Sequence, residues 1–270
     1  MGEFRARLGG HLHLLRAQAR AQASYRMSFA IDLATNVSAT VLDVATVIVL
    51  FTVTDLVGGF RLEESLVMAG LGLCAFNLAD LTVGNIERIR LYVRTGLMDA
   101  VLVRPLGPLG QLLAMDLPLR KVSRFLFAAA VLAVALLRAD VDWTPARVAF
   151  ALVAPLAGAV FFGAIFVGTA SVAFWWIESG EVGNAFTYGG RDFTSYPVTV
   201  YDGWFRRVFA YGLGFAFVAY QPALALLGRA DPLGLPAWAG WAAPLVCVPA
   251  ALVAGLVWRT GVRHYRSTGS

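Results

Sequence analysis

The chain has 270 residues, of which 59% are hydrophobic and only 14% charged, and its mean hydropathy is +0.69. Soluble globular domains carry about 25% charged residues, so this composition excludes an ordinary water-soluble enzyme or binding module. The net charge of +5 does not imply a nucleic-acid partner, because the basic residues flank apolar runs, where they meet anionic headgroups, and lack aromatic interleaving.

The N-terminal stretch 1–27 has no apolar core of the kind a signal peptide needs, since Arg5, Arg7, Arg16 and Arg20 interrupt it. Phe4, Leu8, Leu12 and Leu15 recur at three- and four-residue steps. That spacing predicts an amphipathic helix lying in the plane of the membrane. His11 and His13 alternate and so share no helical face; no metal site is expected there.

Six apolar runs follow, near 29–53, 66–83, 122–137, 148–177, 208–227 and 239–258. Crossing the hydrocarbon core takes about 20 apolar residues, so each run is a candidate span. The first carries Asp32, Asn36, Thr40 and Asp43 on one helical stripe. An ionisable residue inside a span faces a bundle interior or a wet path. These four are therefore candidates for a translocation path or an interface between permeases, with a structural pair to a neighbouring helix as the alternative for Asp43. The second run ends in Asn77, Asp80 and Asn85, read as polar helix-end residues meeting interfacial water.

The connection 84–121 holds the most distinctive stretch. Thr95-Gly96 breaks a helix, and Leu97, Val101 and Leu102 are expected to share a face of a short new one. Pro105 and Pro108 close it, because proline cannot continue a helix and restricts its predecessor. A capped helix with exposed apolar residues docks into a partner. Asp99 stands in its first turn, where the helix dipole favours an anion, and Arg104 can reach the last carbonyls or an acidic partner group.

The third run is short, so it either tilts little or extends backward through Leu117-Pro118-Leu119. The fourth is long enough to require tilt or a kink at Pro155, with Trp175 and Trp176 as interfacial anchors. The connection 178–207 is rich in Gly and Tyr and reads as a second loop on the same side as 84–121. The fifth run ends at Tyr220-Gln221-Pro222, residues 228–238 form a turn, and the sixth run leads into a basic tail.

Threading these six spans places 18 of the 22 Lys and Arg residues on one face; the other keeps only Arg61, Arg138, Arg147 and Arg229. The positive-inside rule makes the crowded face cytoplasmic. Both termini are then cytoplasmic, and 56–64, 138–147 and 228–238 face outward. The whole chain, 1–270, reads as one transmembrane domain, all-α and integral to the membrane. Cys74 and Cys247 fall within spans and read as small buried hydrophobes. No P-loop, HExxH or GxSxG pattern occurs. The chain is expected to be no enzyme, to hold no metal or cofactor, and to leave any ATP and Mg to another subunit.

The run Arg94-Thr95-Gly96-Leu97-Met98-Asp99, followed by Leu102-Val103-Arg104-Pro105-Leu106, resembles the R-T-G-x-L-D…LLRP signature of ABC-2 family permeases. Tyr196-Pro197 and Phe217-Val218-Ala219-Tyr220-Gln221-Pro222-Ala223 agree with it. Met98 replaces the usual Leu, and Gly212 and Gly214 stand where many members carry a proline. The resemblance covers essentially the whole chain. It implies a type V exporter-like permease in a bacterial inner (plasma) membrane, working with two ABC ATPase subunits and a second permease, related or identical. The substrate would be hydrophobic or amphipathic, and the segment Leu97, Asp99, Val101, Leu102, Arg104 and Pro105 would receive the ATPase motion. A permease-like subunit handling lipid or cell-envelope components is the alternative, with an integral-membrane enzyme as a third class.

Overall fold

The computed structural model describes residues 26–105, 107–114 and 119–266, so the N-terminal in-plane helix expected over 1–27 lies almost wholly outside the described residues. Within them the chain is helical, with one isolated bridge between Val57 and Phe60. In chain order the helices are α1 (Arg26–Leu50), α2 (Leu62–Arg94), α3 (Leu97–Leu102), α4 (Pro108–Ala114), α5 (Leu119–Arg138), α6 (Pro145–Phe174), α7 (Gly180–Thr194), α8 (Gly203–Gly212), α9 (Phe215–Leu227) and α10 (Ala243–His264). By length and composition α2, α6 and α10 can each cross a membrane, and α8 with α9 would make a fourth if counted as one broken span.

Local chemistry sets the boundaries. The Glu64 carboxylate accepts from the Arg61 backbone N–H at 2.8 Å and starts α2. Thr144 accepts from the Arg147 backbone N–H at 3.3 Å, and Pro145 at the first helical position completes the start of α6. Inside the helices Thr35, Thr46, Thr82 and Thr169 donate to carbonyls one turn back, so their hydroxyls are satisfied without water. The backward extension of the third span is present: α5 begins at Leu119.

Two ends of the bundle can be told apart. At one, Arg229 lies over the Phe60 ring at 4.4 Å and donates to the Gly59 carbonyl, while Phe150 and Trp241 rings meet at 4.6 Å. At the other, Arg94 pairs with Glu178 at 2.5 Å, and Phe174 packs on Trp258 and Tyr265. This second end carries the basic residues that flank α2, α5 and α10 and is called the lower end below.

The expected connection 178–207 is corrected by the structure. It starts at the lower end with Glu178, but α7 then rises between α2 and α6. Tyr188 packs on Phe76 and Phe166. A Cβ on Gly72 would stand 2.8 Å from Thr194 Oγ1. Thr199 finally donates to the Gly58 carbonyl at 2.6 Å, at the upper end. So this stretch runs the length of the bundle instead of lying at one end. Hydropathy misses it because a helix that packs one face on protein and keeps the other off lipid need not be apolar all round.

The expected fifth span, 208–227, is not one straight helix. It is a bent pair: α8 runs beside α7 from the upper end, and α9 departs from its direction by 64°. Phe209 stacks on Phe186 and Phe205 meets Phe193 edge-on, which fixes the antiparallel course of α8 and α7. The turn sits at Gly214, whose φ is +92°; a Cβ there would also stand 3.0 Å from Val246 and 3.1 Å from Phe161. Only glycine meets both demands.

Candidate functional site

The exposed face of α7 is the feature that a lipid-facing helix cannot have. Glu181, Ala185, Tyr188, Gly189 and Asp192 are exposed and recur at three- and four-residue steps. Asp192 is 73% exposed, and the same turn of α7 carries Arg191, whose guanidinium lies 5.5 Å from the centre of the Phe76 ring, midway along α2. A charge at that depth calls for protein or water beside it.

Arg191 also reaches across to α1 and pairs with Asp43; the two side chains are 22% and 30% exposed. Asp43 thus has the partner that the pairing reading required, and it borders the open face of α7 as well. Thr40, one turn earlier on α1, is buried at 3%. The side chains of Asp32 and Asn36, the other members of the expected stripe, lie outside the described residues.

Below this pair sits a second charged group. Asp80 is buried, its side chain only 6% exposed, and it accepts from Lys121 at 2.6 Å with Arg124 at 3.6 Å. Lys121 is the sole lysine of the chain, and it also donates to the Asp80 carbonyl at 3.1 Å. The sequence reading of Asp80 as a helix-end residue meeting interfacial water is therefore corrected: it is ion-paired inside the bundle. Tyr188 donates to Glu87 at 3.3 Å, linking α7 to the end of α2. Arg191, Asp192, Tyr188 and the Lys121–Asp80 pair were not singled out from sequence. The three- and four-residue period of Glu181, Ala185, Tyr188 and Asp192 is the signal that would have found the α7 face.

The short helix α3 forms where the sequence places it, after Gly96 with φ +72°. Its faces differ from expectation. Val101 and Met98 are buried at 2% and 0%, whereas Leu97 and Val103 are 50% and 83% exposed. Leu102 and Asp99 are half-buried, and Arg104 and Pro105 are exposed. Val101 therefore does not join Leu97 on one open face. A helix of under two turns places its ends at different depths, and the Val101 turn is covered by α4, whose Gln111 donates to the Val101 carbonyl at 3.0 Å. Tyr265 ties this helix to the tail after α10: burial lifts its phenol above the ordinary tyrosine pKa, and the Asp99 carboxylate adds to the lift.

No group of three or more His, Cys, Asp or Glu suited to a metal ion occurs among the described residues. A family model described as an ABC-2 family transporter protein matches residues 37–269. No curated protein and no solved structure matches the chain.

Proposed function

The chain belongs to the ABC-2 family of transporter proteins, and from that premise we propose that it is the permease subunit of an ABC exporter. It sits in a bacterial plasma membrane with both termini in the cytoplasm. Two ABC ATPase subunits bind its lower end and hydrolyse ATP there; a second permease, a related chain or another copy, completes the path. The substrate is hydrophobic or amphipathic and leaves the cytoplasm.

The observation that supports this reading most is the open polar face of α7. A helix that rises through a membrane bundle, yet bares Glu181, Tyr188 and Asp192, borders a wet path or a second permease, not lipid. Asp43 with Arg191, and Thr40 with Asp32 and Asn36 on the same α1, would form the adjoining wall. Six crossings follow if α1, α2, α5, α6, α7 and α10 each traverse the membrane, with α8 and α9 as a hairpin dipping in from outside. This course keeps the inside-positive bias: Arg206 and Arg207 move outward and Arg191 lies within, while 15 basic residues stay on the lower side.

At the lower end α3 is the contact for the ATPase, through Leu97, Val103 and Arg104, while Val101 and Met98 hold the helix to the bundle and Pro105 ends it. Affinity purification of the tagged chain from its native membranes tests the reading. An ABC ATPase should co-purify with ATP hydrolysis in the eluate, and Leu97→Ala with Arg104→Ala should weaken its recovery. A chain that purifies without any ATPase and with unchanged function would refute it.

A further inference from the structure

Beyond the path, a second feature faces the membrane. Between α2, α4, α6 and α10 runs an apolar groove of about 470 Å³, lined among others by Leu78, Leu113, Leu156, Val167, Ala251 and Gly255. Its wall on α6 extends from Leu156 to Val167, about 16 Å at 1.5 Å per residue. That matches one leaflet of a hydrocarbon core of about 30 Å. The groove reaches toward the lower end, where Leu109 and Leu113 of α4 line it together with Val167 of α6.

The groove has a charged rim. On α10, Ala251, Gly255, Arg259 and Arg263 follow at four-residue steps and so share a face. The first two line the groove and the last two stand below it. Both arginines are exposed, and neither side chain has a hydrogen-bond or ion-pair partner among the described residues. An apolar slot of leaflet length that ends at two unpaired guanidinium groups is complementary to one molecule in its surroundings. We propose that this groove binds an anionic phospholipid of the cytoplasmic leaflet, its acyl chain along α6 and its phosphate on Arg259 and Arg263. The second large groove, against Gly212, Leu213 and the opposite face of α10, has no such rim. The proposal rests on membrane insertion with the lower end inside; it does not depend on what is transported.

Two kinds of variant separate chain from headgroup. A Cβ on Gly255 meets nothing within 4 Å, so Gly255→Phe fills the groove without straining the fold. Ala251→Leu is a second, milder filler. Arg259→Gln with Arg263→Gln removes the rim and leaves the groove open. The detergent-purified chain is titrated with dioleoyl phosphatidylglycerol and, separately, dioleoyl phosphatidylcholine, and bound lipid is counted by native mass spectrometry. The intact protein should hold one phosphatidylglycerol more tightly than phosphatidylcholine. The rim variant should lose that preference by about thirtyfold, the worth of two basic residues beside an anionic group, and both fillers should lose the site. Equal retention of the two lipids by the intact protein would overturn the proposal, as would unchanged phosphatidylglycerol binding in the well-folded fillers. Fillers that alter only the number of permease chains per particle would overturn it too, by making the groove a protein interface.

Discussion

α10, of 22 residues, runs the length of the bundle and α7, of 15, rises through most of it, yet they share almost no chemistry. α10 is apolar and bares Leu245, Val248, Leu252 and Leu256 outward, so its sequence advertises a span. α7 carries Glu181, Arg191 and Asp192, and it satisfies them against Asp43, Phe76 and an open polar face. What decides whether a helix can sit at membrane depth is what surrounds each side chain. For α10 the surroundings are lipid on one side, while for α7 they are protein and the proposed water-filled face.

The contrast breaks most severely if the ionic core beneath α7 is unpaired. Asp80→Ala leaves Lys121, only 15% exposed, and Arg124 facing each other without their anion. Removing one partner of a buried pair costs about 3–5 kcal/mol, so the yield of folded, monodisperse protein should collapse. Asp80→Leu with Lys121→Met should recover much of it in the same size-exclusion assay.

Glycines sharpen the comparison. Gly190 on α7 faces the Phe215 ring, where a Cβ would stand 2.3 Å from Cε1, while Gly255 on α10 faces open space. Gly190→Leu should destabilise by about 1–3 kcal/mol through overpacking, read as a lower melting temperature in detergent. Gly255→Ala should raise it slightly, since alanine favours a helix by up to about 1 kcal/mol.

The half-open pair between α1 and α7 should cost less. Asp43→Asn is expected to destabilise by about 1 kcal/mol, in keeping with partial exposure and with measured contacts between membrane helices. Exchanging the two residues, Asp43→Arg with Arg191→Asp, should restore most of the melting temperature. If Asp43 also borders the path, substrate-stimulated ATP hydrolysis should change in Asp43→Asn while yield holds. An unaltered melting temperature together with unaltered stimulation would remove both roles.

The smallest effect on stability belongs to Asp192→Asn. An exposed substitution stays within about 0.5 kcal/mol, so any change in transport would report the path and not the fold.

Much of this was legible in the sequence. The apolar runs of α2, α6 and α10 and the short helix after Gly96 carry local signals: unbroken hydropathy, glycine, proline. Charge asymmetry grouped the basic residues that flank α2, α5 and α10 at one end, because basic residues beside spans report on headgroups and not on packing. The course of α7 was illegible for a physical reason. Its inward residues are Gly190, Phe193 and Thr194, its outward ones include Glu181, Tyr188 and Asp192 beside Val182 and Ala185, and the periodicity of such a helix resembles that of a soluble one. Asp80 misled for a related reason: its partner Lys121 lies 41 residues away, on another helix. The Leu97 and Val101 pairing failed because helical spacing says which residues share a face and not how deep each end is set.

The central claim, that α7 carries the chain from the cytoplasmic side to the outer side, has a direct measurement. With Cys74 and Cys247 replaced by alanine, single cysteines are placed at Glu181 and at Val200, both exposed, and intact cells are treated with a membrane-impermeant maleimide. The cysteine at 200 should label from outside and the cysteine at 181 only after the membrane is opened. Protection of both until permeabilisation would return 178–207 to the cytoplasmic face and contradict the account.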